Sequence, residues 1–307
     1  MSIFQADLPL EQLKARWANP VSRFVELQGM QVHVRDEGVH SDPVPIVLVH
    51  GTSASLHTWE GWVAALKTER RVITMDIPGF GLTGPEPVGN YHIDRYTHFI
   101  LGLMDQLGVQ RFVLGGNSLG GEIAWHVAAA APQRVERLIL VDAAGFKRLP
   151  TGMPVGFILA LLSAKLGLGW LVSRVLPRGV VDSSTRFVYG DPRRITPQVA
   201  QRYFDLQLRA GNRRALGQRL AQHNMGRDVA QLARLVMPTL IIWGRRDRIF
   251  SLAQGEGLHR AIKGSELVVF DDLGHVPHEE DPVRTVAAVR RFLGLEAAAG
   301  ASQRRAA

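Results

Sequence analysis

Polar and apolar positions follow two different rhythms along this chain. Phe24-Val25-Glu26-Leu27 and Gln31-Val32-His33-Val34-Arg35 lie on either side of a turn at Gly29, and the second alternates strictly. A period of two predicts a hairpin at the edge of a sheet. The pattern then changes. Residues 46–49, 72–75, 112–114, 138–141, 240–243 and 267–270 are short, continuous apolar runs rich in β-branched side chains. Strands apolar on both faces belong to a parallel sheet covered by helices on each side. Helical patterns are expected over about 58–68, 93–107, 119–130, 252–262 and 282–293, so strand and helix alternate as in a doubly wound α/β sheet. No internal repeat is present.

One interval breaks the alternation. Some ninety residues from Phe146 to Leu235 separate two buried strands and contain no convincing strand. A structureless loop of that length does not fit a compact domain, which predicts an inserted helical cap. Its first half, residues 155–176, is the most apolar part of the chain. Lys165, Gly167 and Gly169 interrupt that half, so a greasy face closing over a pocket is expected in preference to a membrane span. The expected organisation is a core of residues 22–146 plus 235–294, a cap over 147–234, an N-terminal segment 1–21 and a disordered tail 295–307.

Charge adds one feature. The net charge is +8, and twelve arginines against four aspartates between Arg174 and Arg234 carry all of it. Neither interleaved aromatics nor a groove-reading motif accompanies them, so a solvated basic face is expected and nucleic acid is not. The chain has no cysteine, which excludes a thiol nucleophile, thiolate metal sites and disulfides. The first twenty residues carry Asp7, Glu11, Lys14 and Arg16 without an apolar run, so no signal peptide and a cytoplasmic location are expected.

The chemistry begins at Gly116-Asn117-Ser118-Leu119-Gly120, a G-x-S-x-G pentapeptide between an apolar run and an alanine-rich helical segment. A serine on a tight strand-to-helix turn is exposed for attack, and glycines two residues to either side leave room across the turn. Such a serine needs a base, and the base needs an orienting acid. Asp247 and His275 each follow a later strand, in the order Ser, Asp, His. Asp142 also ends a strand and is the rival acid; His278 is the rival base. Asp271 and Asp272 read as loop-capping carboxylates. Oxyanion donors are expected from the backbone N–H of Leu119 and of Thr52, with Ser53 in reserve, while His50 reads as a structural tie for its loop.

With these residues placed, the chain resembles the α/β-hydrolase superfamily from about Phe24 to Leu293, through the His50-Gly51 loop, Asp76-Ile77-Pro78-Gly79-Phe80-Gly81, the Ser118 elbow, residues 244–247 and Gly274-His275. The resemblance implies a mostly parallel hydrolase sheet with an inserted cap. A serine at the elbow excludes the aspartate-nucleophile branches. Gly116-Asn117-Ser118 with Gly120-Gly121 is similar to C–C bond hydrolases acting on ring-cleavage products, but those usually carry a Gly-Pro-Gly type oxyanion loop and a tryptophan soon after the histidine. Here Thr52-Ser53-Ala54-Ser55 and Val276-Pro277-His278 stand instead. A carboxylesterase acting on apolar short- to medium-chain esters is therefore expected, with the C–C hydrolase as the alternative. Cofactor-free haloperoxidases share the triad, and a non-catalytic binding module is disfavoured by its being intact. No cofactor, metal or nucleotide site is implied; the expected partner is a small-molecule ester. Trp59, Phe146 and Phe157 are candidates to shape the pocket.

Overall fold

A computed structural model describes residues 5–146, 152–168, 174–223 and 226–295. Its sheet has eight strands: β1 (Ser22–Leu27), β2 (Met30–Gly38), β3 (Ile46–Val49), β4 (Arg71–Met75), β5 (Phe112–Asn117), β6 (Val135–Val141), β7 (Thr239–Gly244) and β8 (Glu266–Phe270). The spatial order is β1-β2-β4-β3-β5-β6-β7-β8. β1 and β2 form the expected edge hairpin, β2 joins β4 antiparallel, and every later pairing is parallel.

The apolar runs follow from where alternate side chains go. Val47, Val49, Leu114, Leu138, Leu140, Ile241 and Trp243 face one layer. Ile46, Leu48, Val113, Ile139, Val141, Leu240 and Ile242 face the other. Short helix α1 (Leu10–Trp17) precedes the sheet, and α2 (Glu60–Leu66), α3 (Ile93–Gln106) and α4 (Leu119–Ala130) fall between strands. The first layer is closed by α3 and α4 through residues such as Phe99, Leu103, Ile123 and Val127. Trp62, Val63 and Leu66 of α2 close the second. β8 differs from the expectation of a fully buried strand: it is a half-buried edge with one neighbour.

Between β6 and β7 lie α5 (Val155–Lys165), α6 (Arg178–Val188), α7 (Pro197–Gln207) and α8 (Asn212–Gln222), with no strand among the described residues. The chain returns through α9 (Leu252–Ala261), the single turn α10 (Pro277–Glu280) and α11 (Pro282–Leu293), whose Val286 and Val289 complete the second layer. α5 is apolar all round. Ala160 packs inward against α8, where a Cβ on Gly217 would sit 2.8 Å from the Ala160 carbonyl oxygen. Ile158, Leu159 and Leu162 nonetheless stay exposed, so the greasy half turns only one side to the interior. No helix among the described residues is long and apolar enough to cross a membrane.

The arginine-rich stretch is also more than a solvated face. Arg202, Arg213 and Arg219 are buried. They reach Glu60 and Glu279, Asp7, and Glu122 respectively, while Arg194 reaches Asp272 and Asp281. Four of the twelve arginines thus tie the inserted helices to carboxylates outside the stretch. Their partners lie far away in sequence, which local charge counting cannot see. α1 was not anticipated either. Its Leu13 is buried with Leu82 and Leu206, and Trp17 Nε1–H donates to Asp205 of α7 at 3.1 Å. The tail beyond Leu295 lies outside the described residues.

Candidate active site

Ser118 sits between β5 and α4 with φ 54° and ψ −117°, a conformation that costs an ordinary residue on the order of 1–3 kcal/mol. The flanking glycines make the turn possible. A Cβ on Gly116 would stand 2.1 Å from the Gly120 carbonyl oxygen, and one on Gly120 would stand 2.1 Å from that of Val49. Gly121 is as constrained, with the Ala143 side chain 2.5 Å from any added Cβ. Leu119 opens α4, and the first amides of a helix have no intrahelical partner.

Past β7, Asp247 folds back so that its Oδ1 accepts from the Ile249 and Phe250 amides at 2.7 and 3.0 Å. Its Oδ2 lies 2.7 Å from His275 Nδ1, and both side chains are buried. The His275 ring therefore presents its other nitrogen elsewhere. Asn117 adds a tie that the sequence did not suggest: Nδ2–H donates to the His275 carbonyl at 2.9 Å and to that of Val141 at 3.1 Å. From the inserted helices, the Val188 carbonyl accepts from the His275 amide at 2.8 Å. Glu280 accepts from the Gly274 and Gly190 amides, each at 2.9 Å.

The rivals take other positions. Asp142 is fully buried at φ 42°, and its Oδ1 accepts from the Gly244 amide at 3.0 Å. Burial, and then the neighbouring Asp247 charge, push its carboxyl well above the usual range, which favours its protonated form beside the Asp247–His275 pair. One donor atom from each of Asp142, Asp247 and His275 lies within 4.8 Å of the others, a spacing a cation could also use, but two of those residues already bond each other. His278 is buried against Trp59, with ring centroids 4.0 Å apart, and bonds Thr58 Oγ1 at 2.9 Å. His50 is a structural tie: Nδ1 bonds the Gly51 carbonyl at 2.8 Å and Nε2 accepts from the Ile77 amide at 3.1 Å. Asp76 accepts from the Leu56 and Leu82 amides and from His33. It fixes the same loop from below.

Ser118, Leu119, Thr52 and His275 line one cavity of about 550 Å³ under the inserted helices. The His50-Gly51-Thr52 loop lies directly against Ser118: a Cβ on Gly51 would come 3.0 Å from the Ser118 Cβ. Phe157, Leu161 and Leu176 supply apolar wall. Phe157 thus shapes the pocket, whereas Trp59 lies in the second core layer and Phe146 packs on α9 at Gly257. Sequence reasoning missed the polar wall, made by Glu122, Arg213, Arg219 and His223. Only Glu122 had a local signal, one turn after Ser118 on the same helix.

Residues 44–282 match the model for the alpha/beta hydrolase fold. The chain belongs to that family. This member is 28% identical over 290 residues to the 2-hydroxy-6-oxo-2,4-heptadienoate hydrolase of Pseudomonas putida, a match covering 90% of this chain and 97% of the relative. Among solved structures, it resembles the meta-cleavage product hydrolase from Pseudomonas fluorescens IP01, with a TM-score of 0.73, 26% identity and 89% and 97% of the two chains covered. A thermophilic esterase from Thermogutta terrifontis is equally similar, with a TM-score of 0.73, 27% identity and 90% and 98% covered. This hydrolase therefore has relatives named for two reactions.

Proposed function

We propose that this hydrolase cleaves carboxylic esters through an acyl-enzyme, with Ser118 as nucleophile, His275 as base and Asp247 as the orienting acid. The observation that carries this reading is the 2.7 Å Asp247–His275 hydrogen bond, which opens on the same cavity as the strained elbow serine. His275 takes the Ser118 hydroxyl proton as the oxygen attacks the ester carbonyl. The amides of Leu119 and Thr52 stabilise the oxyanion, and the imidazolium gives its proton to the leaving alkoxide. Water then attacks the acyl-enzyme by the same route and releases the acid. The inserted helices act as a cap, and the apolar wall suits short- to medium-chain groups, each buried methylene contributing about 0.8 kcal/mol.

A second reading, C–C bond hydrolysis of ring-cleavage products, is favoured by one observation. Holding the anionic dienolate of such a reaction calls for cationic groups in the pocket, and Arg213 and Arg219 line the cavity. Relatives named for that chemistry weigh in the same direction. Measuring kcat/KM on p-nitrophenyl esters of graded chain length, beside a ring-cleavage dienone, separates the two. The ester reading expects the esters to win; a hundredfold preference for the dienone overturns it and leaves the triad in place.

A further inference from the structure

Deep in the cavity, the polar wall is electrically unbalanced. Arg219 of α8 is 4% exposed. Among the described residues its only carboxylate contact is Glu122 Oε2, at a long 3.4 Å. Its Nε–H is buried with no hydrogen-bond partner among the described residues. A guanidinium offers five donors in a planar fork, and most of this fork is unused. Tyr96, whose ring centroid lies 5.9 Å away, gives it only an aromatic face. A charge that deep is strongly disfavoured unless it is paired and hydrogen-bonded.

Glu122 compensates it poorly. Burial pushes its carboxyl up to about 7, against the pull of Arg219 and with the help of Asp228, so its negative charge is weakened near neutral pH. His223 Nδ1 lies 3.7 Å from Glu122 Oε2. Burial and the Arg219 charge lower His223 to about 3, which keeps it neutral. Behind Glu122, His126 bonds the Glu122 carbonyl and faces Asp228 at 3.5 Å. Two further cations line the cavity, Lys165 at its exposed rim and Arg213, whose charge Asp7 meets.

We propose that this corner is an anion subsite, in which Arg219, flanked by Glu122, holds a carboxylate at the end of the substrate remote from the scissile bond. The substrate class becomes the half-esters of short dicarboxylic acids, an assignment resting on the ester reading above. One cavity has a place for both ends of such a substrate: Ser118 and Arg219 line it together, with Glu122 four residues after Ser118. A carboxylate there can take the unused Nε–H and Nη–H pair in a fork, the geometry that makes arginine–carboxylate contacts strong. An apolar acyl chain would leave that fork buried and unmet.

Two measurements test this. In the first, Ser118→Ala protein at pH 7 is titrated calorimetrically with monomethyl adipate and with methyl hexanoate. The half-ester is expected to bind at least tenfold tighter, and adding Arg219→Met should erase the difference. Arg219→Lys, which keeps the charge and loses the fork, should retain part of it. Glu122→Gln, which removes the competing anion, should increase it. Equal Kd values for the two ligands in Ser118→Ala protein, or an unchanged ratio in Arg219→Met, overturn the subsite. In the second, the wild-type ratio of kcat/KM for mono-p-nitrophenyl adipate over p-nitrophenyl hexanoate should exceed ten and fall at least tenfold in Arg219→Met. If wild type turns over neither ester while Ser118→Ala protein still prefers monomethyl adipate, the ester reading fails and the subsite stands.

Discussion

Two buried carboxylates stand beside His275, and their surroundings assign them different duties. Asp247 accepts two backbone N–H bonds and the imidazole; Asp142 accepts one amide, and burial favours its protonated form. Asp247→Asn should lower kcat by about three to four orders of magnitude, because the imidazole loses its orienting and charge-stabilising partner. Asp142→Asn replaces a neutral acid by a neutral amide of the same shape and should retain most of the rate. Steady-state kinetics on one ester checks both, and the reverse ranking would move the acid to Asp142. Glu122 makes a second residue-scale case, this time in stability. Its folded-state value of about 7 lies above the 4.5 of the free side chain, so the folded protein binds the proton more tightly. Stability attributable to this residue is therefore present at pH 4 and lost as pH rises toward 7. Buried His57 and His223, both lowered to about 3, run the other way: their contribution is present above about 6.5 and lost as pH falls. Comparing Glu122→Gln with wild type cancels the histidines. Urea denaturation should show the variant gaining on wild type between pH 4.5 and 7 by up to roughly 3 kcal/mol; a difference independent of pH would contradict this.

At the scale of elements, how much was legible depended on whether a pattern was local. The buried strands and the helices at 119–130 and 282–293 emerged at or near their observed ends, because two-faced burial and 3.6-residue periodicity are written in consecutive residues. The elbow was legible for the same reason. Its glycines can be tested against a harmless one. Gly120→Ala drives a Cβ into two backbone carbonyls, those of Val49 and His50, at 2.1 and 2.6 Å, and should cost at least ~3 kcal/mol, the upper end of ordinary overpacking. Gly179→Ala, in α6 with nothing within 4 Å of the new Cβ, should stabilise by up to ~1 kcal/mol. Thermal melts of the two variants check the contrast. What the sequence hid was non-local: α1, only two turns long, docks on α7, and Asn117 reaches His275 across 158 residues. The half-exposed α5 was hidden too, since a helix apolar all round gives no clue to which side faces in.

Across the whole molecule, one sheet brings together residues contributed by four segments. β5 presents Ser118, β7 leads to Asp247, β8 leads to His275, and the loop after β3 brings Thr52 to the same cavity. The inserted helices are bonded into this arrangement, through the Val188 carbonyl on the His275 amide and through Arg202 between Glu60 and Glu279. Their polar wall came from the stretch that sequence reading left to solvent. Whether the assembly works as a serine hydrolase is tested most directly by covalent labelling. Wild-type protein is incubated with an organophosphonate ester, digested and mapped by mass spectrometry while activity is followed. One equivalent of label on Ser118, lost together with activity in Ser118→Ala while the fold persists, is the expected result. Full activity in the Ser118→Ala protein, or label on another residue with Ser118 untouched, would contradict it.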